Sequence, residues 1–482
     1  MKIDIINSRV YSNPYQQLLY GESHSRYGMI MGSIERATIR QRLTKCSLFH
    51  IHWEESLFSK CSTVADAVKV RRAYIDKLRR YEKLGGKIVW TLHNIKPHEA
   101  RFVQTFFALR RDLAELSHRI LVHNQAAISV LHAQTGWEDL SKVAVLPHPA
   151  YLDVYEPIDR TRALLGQAPV YPRTLLHFGM VRAYKGIPSL VRSLSPKFMA
   201  QHQLGLHICG QPHRADSFLN DLLEQTRGRP EIRYSLASVP DEEVADLLRS
   251  YAGLVIPYHN VLTSGVAVLS LSLGIPTVTA DTPAMRELYP ESSHHLLFNP
   301  RSPNDLRRAV LALVDLPAEM RQQISRDYFE RAFATRSEVI SQKLGGIYDD
   351  VLGPSISLRD QRLGMSNLPT KFRVPFMIQL MSENKTMATR ARKPAATSSA
   401  NEQLALELVK ATLLSNVRTG VPDELILEDI KSAHKLVTER ARLDGGYAVR
   451  LYRNILSRLE AQSAELTTTV SEQPAPMADK KA

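Results

Sequence analysis

The stretch His177-Phe178-Gly179-Met180-Val181-Arg182-Ala183-Tyr184-Lys185-Gly186 follows the apolar pair Leu175-Leu176 and leads into Ile187 to Leu194, which has helical character. Read together, these segments predict a strand, a glycine turn and a helix start, with two cations beside the turn. Open α/β sheets bind phosphorylated ligands at such strand ends, because backbone N–H groups and the helix dipole point outward there. A second segment completes the pattern. Leu254 to Ile256 reads as a short buried strand, Thr263-Ser264-Gly265 opens a helix that runs to Gly274, and Thr277 to Ala280 forms the next strand before Asp281. An ordinary capped helix would also begin with Thr-Ser-Gly. Two anion-friendly helix starts about eighty residues apart on one sheet edge suit a bound diphosphate.

Outward from these motifs, the chain alternates strands and helices. In the first half the strand candidates are Ile3 to Ile6, Leu48 to His52, Ile88 to Leu92, Ile120 to His123 and Val143 to Leu146, with helical stretches Ala65 to Lys83 and Val103 to Leu116 between them. The second half repeats the plan with Leu175 to Phe178, Leu206 to Cys209, Ile232 to Ser235, Gly253 to Ile256 and Thr277 to Ala280. Alternation of this kind implies parallel sheets with helices on both faces. The expected layout is an α/β domain over 1–150, a second over 151–352 with Pro147 to Tyr171 as the link, a linker over 353–402, a helical extension over 403–466 and a polar tail over 467–482.

Composition sets the outer limits. A chain of 482 residues, 44% of them apolar, has length for two or three globular cores. No run approaches the ~20 apolar residues of a membrane-spanning helix, and no leader sequence is legible after Met1-Lys2. Cys46, Cys61 and Cys209 have neither the even number of a disulfide framework nor metal-ligand spacing, which points to a reducing cytoplasm and to no bound metal. A net charge of +13 calls for an anionic partner. Its densest cluster, Lys69, Arg71, Arg72, Lys77, Arg79 and Arg80, is interleaved with apolar residues at helical spacing; it suits an anionic membrane surface, or is simply a solvated helix face. No nucleic-acid-binding module accompanies the charge.

Residues 172 to 348 resemble the nucleotide-sugar domain of GT-B glycosyltransferases in the large group around family 4. The likeness rests on Phe-Gly-x-x-Arg-x-Tyr-Lys-Gly, on Pro257-Tyr258 followed by Thr263-Ser264-Gly265 and Gly274-x-Pro276, and on Arg286-Glu287-Leu288. In the first half, Asn13-Pro14-Tyr15-Gln16, His50-Ile51-His52-Trp53 and Trp90-Thr91-Leu92-His93-Asn94 with Pro97-His98-Glu99 are similar to transferases that extend lipid-linked oligosaccharides in bacterial exopolysaccharide assembly, including the glycolipid mannosyltransferase type of the xanthan pathway. The resemblance implies two Rossmann-like domains facing a cleft, acceptor on the first and donor on the second. It further implies a metal-independent transfer from a GDP- or UDP-linked sugar at the inner face of the plasma membrane, with the donor as substrate and no cofactor.

The resemblance implies site residues too. Gly179, Arg182, Lys185, Thr263, Ser264 and Gly265 would hold the donor diphosphate, and Glu287 the nucleoside. The chain departs from the pattern where retaining members carry two glutamates: Val261 and Leu269 stand there, and Met180 replaces the usual arginine after the turn glycine. No retaining mechanism is carried over, and an inverting one stays open. Inversion needs a base for the acceptor hydroxyl; His93, Glu54 and Glu99 are the candidates, with Glu55 and Glu22 beside them. A noncatalytic assembly scaffold and a GT-B-like nucleotide-sugar epimerase are the alternatives.

Overall fold

The computed structural model describes residues 3–7, 14–21, 27–45, 47–95, 101–167, 171–212, 218–258 and 261–353. The expected linker, helical extension and tail lie outside them. Among the described residues, twelve strands form two sheets. The first holds β1 (Ile3–Asn7), β2 (Tyr27–Met31), β3 (Ser47–Ile51), β4 (Lys87–Leu92), β5 (Arg119–Val122) and β6 (Val143–Val145), in the order β2-β1-β3-β4-β5-β6. The second holds β7 (Thr174–Phe178), β8 (Gly205–Cys209), β9 (Ile232–Ser235), β10 (Gly253–Ile256), β11 (Thr277–Ala280) and β12 (Leu297–Phe298), in the order β12-β11-β10-β7-β8-β9. All pairings are parallel. Helices cover both faces, so β3, β10 and β11 are buried along their whole length, which explains why they read as apolar runs without alternation.

Two strands were not foreseen. β2 begins Tyr27-Gly28 and pairs only with β1 at the sheet edge, and β12 is two residues long. The expected interdomain link contains a helix, Ile158–Leu165. The last described helix, Ser337–Leu352, was expected to close the second domain but packs on the first sheet. Ile340, Leu344 and Tyr348 are buried there with Ile5, Tyr15 and Leu19. Tyr27 anchors it through its hydroxyl to the Gly345 carbonyl (3.2 Å) and to Asp349, and Ser337 donates to the Leu18 carbonyl (2.6 Å). The chain thus crosses back to its first domain.

The basic helix is Val64–Lys83, opened by a capping box in which Thr63 and Asp66 satisfy each other's backbone N–H. Its apolar face, Ala67, Ile75, Leu78 and Tyr81, is consumed by the core of the first domain. Full burial of a side chain such as Leu78 is worth about 1.5–3 kcal/mol, so that face is not available for insertion into a bilayer. Arg71 is paired with Asp112 (2.7 Å) and Lys77 with Glu35 (2.6 Å), while Lys69, Arg72, Arg79 and Arg80 stay exposed. No helix among the described residues is long and apolar enough to cross a membrane.

Candidate active site

In the second sheet the strand order reverses between β7 and β10, and in such sheets the crevice beyond the strand ends at that reversal is where ligands bind. The loop after β7 carries Gly179 at φ +103°, where a β-carbon would stand 3.2 Å from Lys185 Nζ. Gly186, at φ +73°, lets the same loop run against the Pro257 carbonyl after β10. Lys185 is buried, its ammonium 5.2 Å from the Tyr258 ring centre. Burial, reinforced by neighbouring Arg182, lowers its pKa to about 8. Arg182 Nε is buried with no partner among the described residues. Beyond β10, Ser264 caps the helix Gly265–Ser272 by accepting from Ala267 N (3.3 Å), and Gly265 gives room for the Tyr151 hydroxyl. Thr263 Oγ1 is buried without a partner among the described residues. The residues expected to hold a diphosphate therefore occupy two adjoining strand ends, presenting cations and a helix N-terminus together.

The first sheet presents histidines at its corresponding edge. His50 and His52 stand on and just after β3, His93 after β4, His123 after β5 and His148 beyond β6. Their rings follow one another at centroid distances of 4.1 Å (His50–His52), 5.2 Å (His52–His93), 5.2 Å (His93–His123) and 5.5 Å (His123–His148). Tyr15 lies edge-on to His52, His93 and His123. Hydrogen bonds join Tyr348 to His50 (2.6 Å), Tyr20 to both His50 (3.0 Å) and His52 (2.7 Å), and His52 to His93 (2.9 Å). Burial pushes His50 and His148 down to about 3 and His123 to about 4, and moves His52 and His93 the same way. The imidazoles are neutral at physiological pH.

His93 stacks flat on Trp53 (4.1 Å, 6°), and Trp53 itself adopts φ +46° at the exit of β3. A non-glycine residue in this region stores strain of order 1–3 kcal/mol, a feature that gathers at functional sites. The next two residues are glutamates with opposite fates. Glu54 is buried in an ion pair with Arg110 (2.8 Å) and accepts from Trp90 Nε1 (3.2 Å). Both oxygens are engaged, so its geometry is that of a structural counter-ion and not of the base the sequence suggested. Glu55 is bonded through one oxygen by Asn94 Nδ2, and its Oε2 is buried without a partner among the described residues. Burial, with Glu54 beside it, raises the Glu55 pKa to about 7. Glu99 and Glu22 lie outside the described residues.

A pocket lies between the two domains, lined by His123, Asn124 and His148 from the first and by Leu262, Thr263, Glu287 and Arg331 from the second. Asn124 donates to the Leu262 carbonyl (2.6 Å), and both Glu287 oxygens accept from Gln125 N (3.0 and 2.8 Å). Glu287, expected at the nucleoside, is here committed to the interdomain contact. His123 and His148 were not among the sequence candidates. Their signal was available, since histidines close consecutive strands of one sheet.

Residues 172–315 match the model of the family described as glycosyl transferases group 1. This part of the chain is a group 1 glycosyltransferase domain. Over 269 residues the transferase is 28% identical to the GDP-mannose:glycolipid 4-beta-D-mannosyltransferase of Xanthomonas campestris pv. campestris, covering 55% of this chain and 69% of that enzyme. It is 25% identical over 218 residues to the D-inositol 3-phosphate glycosyltransferase of Corynebacterium kroppenstedtii, covering 43% of this chain and 47% of that one. Among solved structures, the sucrose-phosphate synthase of Thermosynechococcus elongatus superposes with a TM-score of 0.50 at 16% identity, over 72% of this chain and 99% of its own. The UDP-forming alpha,alpha-trehalose-phosphate synthase of Burkholderia vietnamiensis gives a TM-score of 0.51 at 11% identity, over 73% and 98%. At such identities the likeness concerns the fold, and the fold is GT-B.

Proposed function

We propose that the transferase moves a hexose from a nucleotide-diphosphate donor, GDP-linked in the first instance, to a lipid-linked saccharide acceptor in exopolysaccharide assembly, with inversion at the anomeric carbon. The observation that carries this reading is the pocket between the domains, with Thr263, just before the helix Gly265–Ser272, on one side and His123 and His148 of the histidine edge on the other. The 28% identical relative, named for GDP-mannose and a glycolipid, supports the donor and acceptor classes.

In this reading the acceptor oxygen attacks the anomeric carbon as the bond from that carbon to the phosphate oxygen breaks. Charge developing on the leaving diphosphate falls on Lys185, Arg182 and the N-terminus of the helix Gly265–Ser272. The acceptor proton goes to Glu55 Oε2, since a carboxyl group at about 7 matches a general base at neutral pH. His93, neutral and stacked on Trp53, shapes the acceptor side. The donor is the substrate, and the reaction as written calls on no cofactor. Contact with an anionic inner membrane face would be electrostatic, through Lys69, Arg72, Arg79 and Arg80, because the apolar side of their helix is already used.

The test is thermal stabilisation and diphosphate release against a panel of nucleotide sugars, with and without a bacterial lipid-linked oligosaccharide extract. Acceptor-dependent release from one donor is expected. Turnover without acceptor indicates an epimerase or hydrolase, and indifference to every donor indicates the scaffold.

A further inference from the structure

Two buried side-chain atoms in the interdomain pocket have no partner among the described residues, His123 Nε2 and Thr263 Oγ1. Of the other polar groups there, Asn124 donates to Leu262 O and accepts from Ala127 N (3.0 Å), Glu287 accepts from Gln125 N, and Arg331 donates to the Leu288 and Glu287 carbonyls. The His123 tautomer follows from its other nitrogen. Nδ1 lies 2.9 Å from the Leu146 carbonyl, which can only accept, so Nδ1 carries the proton and Nε2 carries a lone pair. A buried acceptor left unpaired is costly, and this one opens beside Thr263, two residues before the helix Gly265–Ser272.

We infer that His123 Nε2 is a sugar-recognition group, accepting a hydrogen bond from a ring hydroxyl of the transferred hexose, with Thr263 Oγ1 engaging a neighbouring hydroxyl. The inference rests on the nucleotide-sugar reading above and deepens it. The position fits a sugar: Thr263, from the segment read as holding the diphosphate, lines the pocket on one domain, and His123 and His148 line it from the other. Burial holds His123 near 4, so the lone pair persists throughout the neutral range, while so weak a base leaves the acceptor proton to another group. Because an imidazole lone pair only accepts, the site selects a hydroxyl and rejects a hydrogen or fluorine at the same position.

The test is a cycle between protein and substrate. Dissociation constants are measured by calorimetry for GDP, GDP-mannose and its 2-, 3-, 4- and 6-deoxyfluoro analogues, with UDP and UDP-glucose alongside, on the whole protein and on His123→Leu and His123→Gln. In the unaltered protein one deoxyfluoro position is expected to weaken binding about tenfold or more. His123→Leu should weaken the parent sugar nucleotide by a similar factor, leave the free nucleoside diphosphate within about twofold, and abolish the penalty at that one position. His123→Gln, which places an amide oxygen near the lost Nε2, should restore part of the penalty. An unchanged penalty in His123→Leu, or equal losses for GDP and GDP-mannose, overturns the assignment and leaves the functional reading intact. An unaltered protein that binds no nucleotide sugar overturns both.

Discussion

At the scale of single residues, the site turns on which charged groups are spent and which are held in reserve. Lys185 is buried without a carboxylate partner among the described residues, and its pKa of about 8 makes it a cation that pH can remove. Below that value it is charged and attracts a diphosphate; above it the charge is lost. Donor kcat/KM is therefore expected to fall through an alkaline limb near 8 in the free enzyme, and Lys185→Arg, charged at all accessible pH, should remove the limb even where it lowers the maximum. A limb that survives in Lys185→Arg would assign it to another group. Glu54 and Glu55 separate in the same way. Glu55→Gln should cut kcat by about 10²–10⁴ with little change in stability. Arg110→Met strands the Glu54 carboxylate in the core and should cost about 3–5 kcal/mol in urea denaturation. Nothing in the sequence distinguishes these adjacent glutamates, because the partner that claims Glu54 lies 56 residues away.

At the scale of elements, most strands were legible because burial on both faces demands continuous apolar runs, as in Leu254 to Ile256, and because caps mark the helices between them. The exceptions have physical reasons. β2 needs only one partner at the edge and tolerates Gly28, and an apolar stripe such as Ile340, Leu344 and Tyr348 says that a helix is buried without saying against which sheet. The diphosphate loop was legible for the same reason that it is fragile. Gly186→Ala would place a β-carbon 2.2 Å from the Pro257 carbonyl oxygen in a left-handed backbone, so it should cost more than about 2 kcal/mol and spread the ends of β7 and β10. Gly346 lies within the helix Ser337–Leu352 with nothing within 4 Å of an added β-carbon, and Gly346→Ala should stabilise by about 0.5–1 kcal/mol. Paired melting curves of the two variants check the contrast. Equal shifts would mean that the loop after β7 relaxes freely, and the close approach would lose its structural meaning.

At the scale of the whole molecule, the histidine edge links parts of the chain that the sequence keeps far apart. Tyr348, on the helix that returns from the second domain, holds His50, and His123 lines the pocket shared with Thr263 and Glu287. The fold keeps these imidazoles neutral by burial, and that sets a direction for acid stability. His50 and His148 lie near 3 and His123 near 4, against an ordinary 6.5 in the unfolded chain. Between those limits the unfolded state binds protons that the native state refuses, so native stability is fully present above about 6.5 and declines as pH falls toward 4 and 3. Each such group contributes at most about 1.4 kcal/mol per pH unit. Several acting together should give a steep loss of the urea midpoint from pH 6.5 to 4, ahead of most carboxylate titration. Because Tyr348 bonds His50, the return helix should loosen in that window too, visible as faster hydrogen exchange over residues 337–352 than over the second sheet. His148→Asn and His123→Asn should each make the slope shallower. A midpoint that holds level down to pH 4.5 would show that the histidines accept protons inside the fold as readily as in the unfolded chain, and their edge would then charge below about 6.5 instead of staying the neutral wall proposed for the sugar pocket.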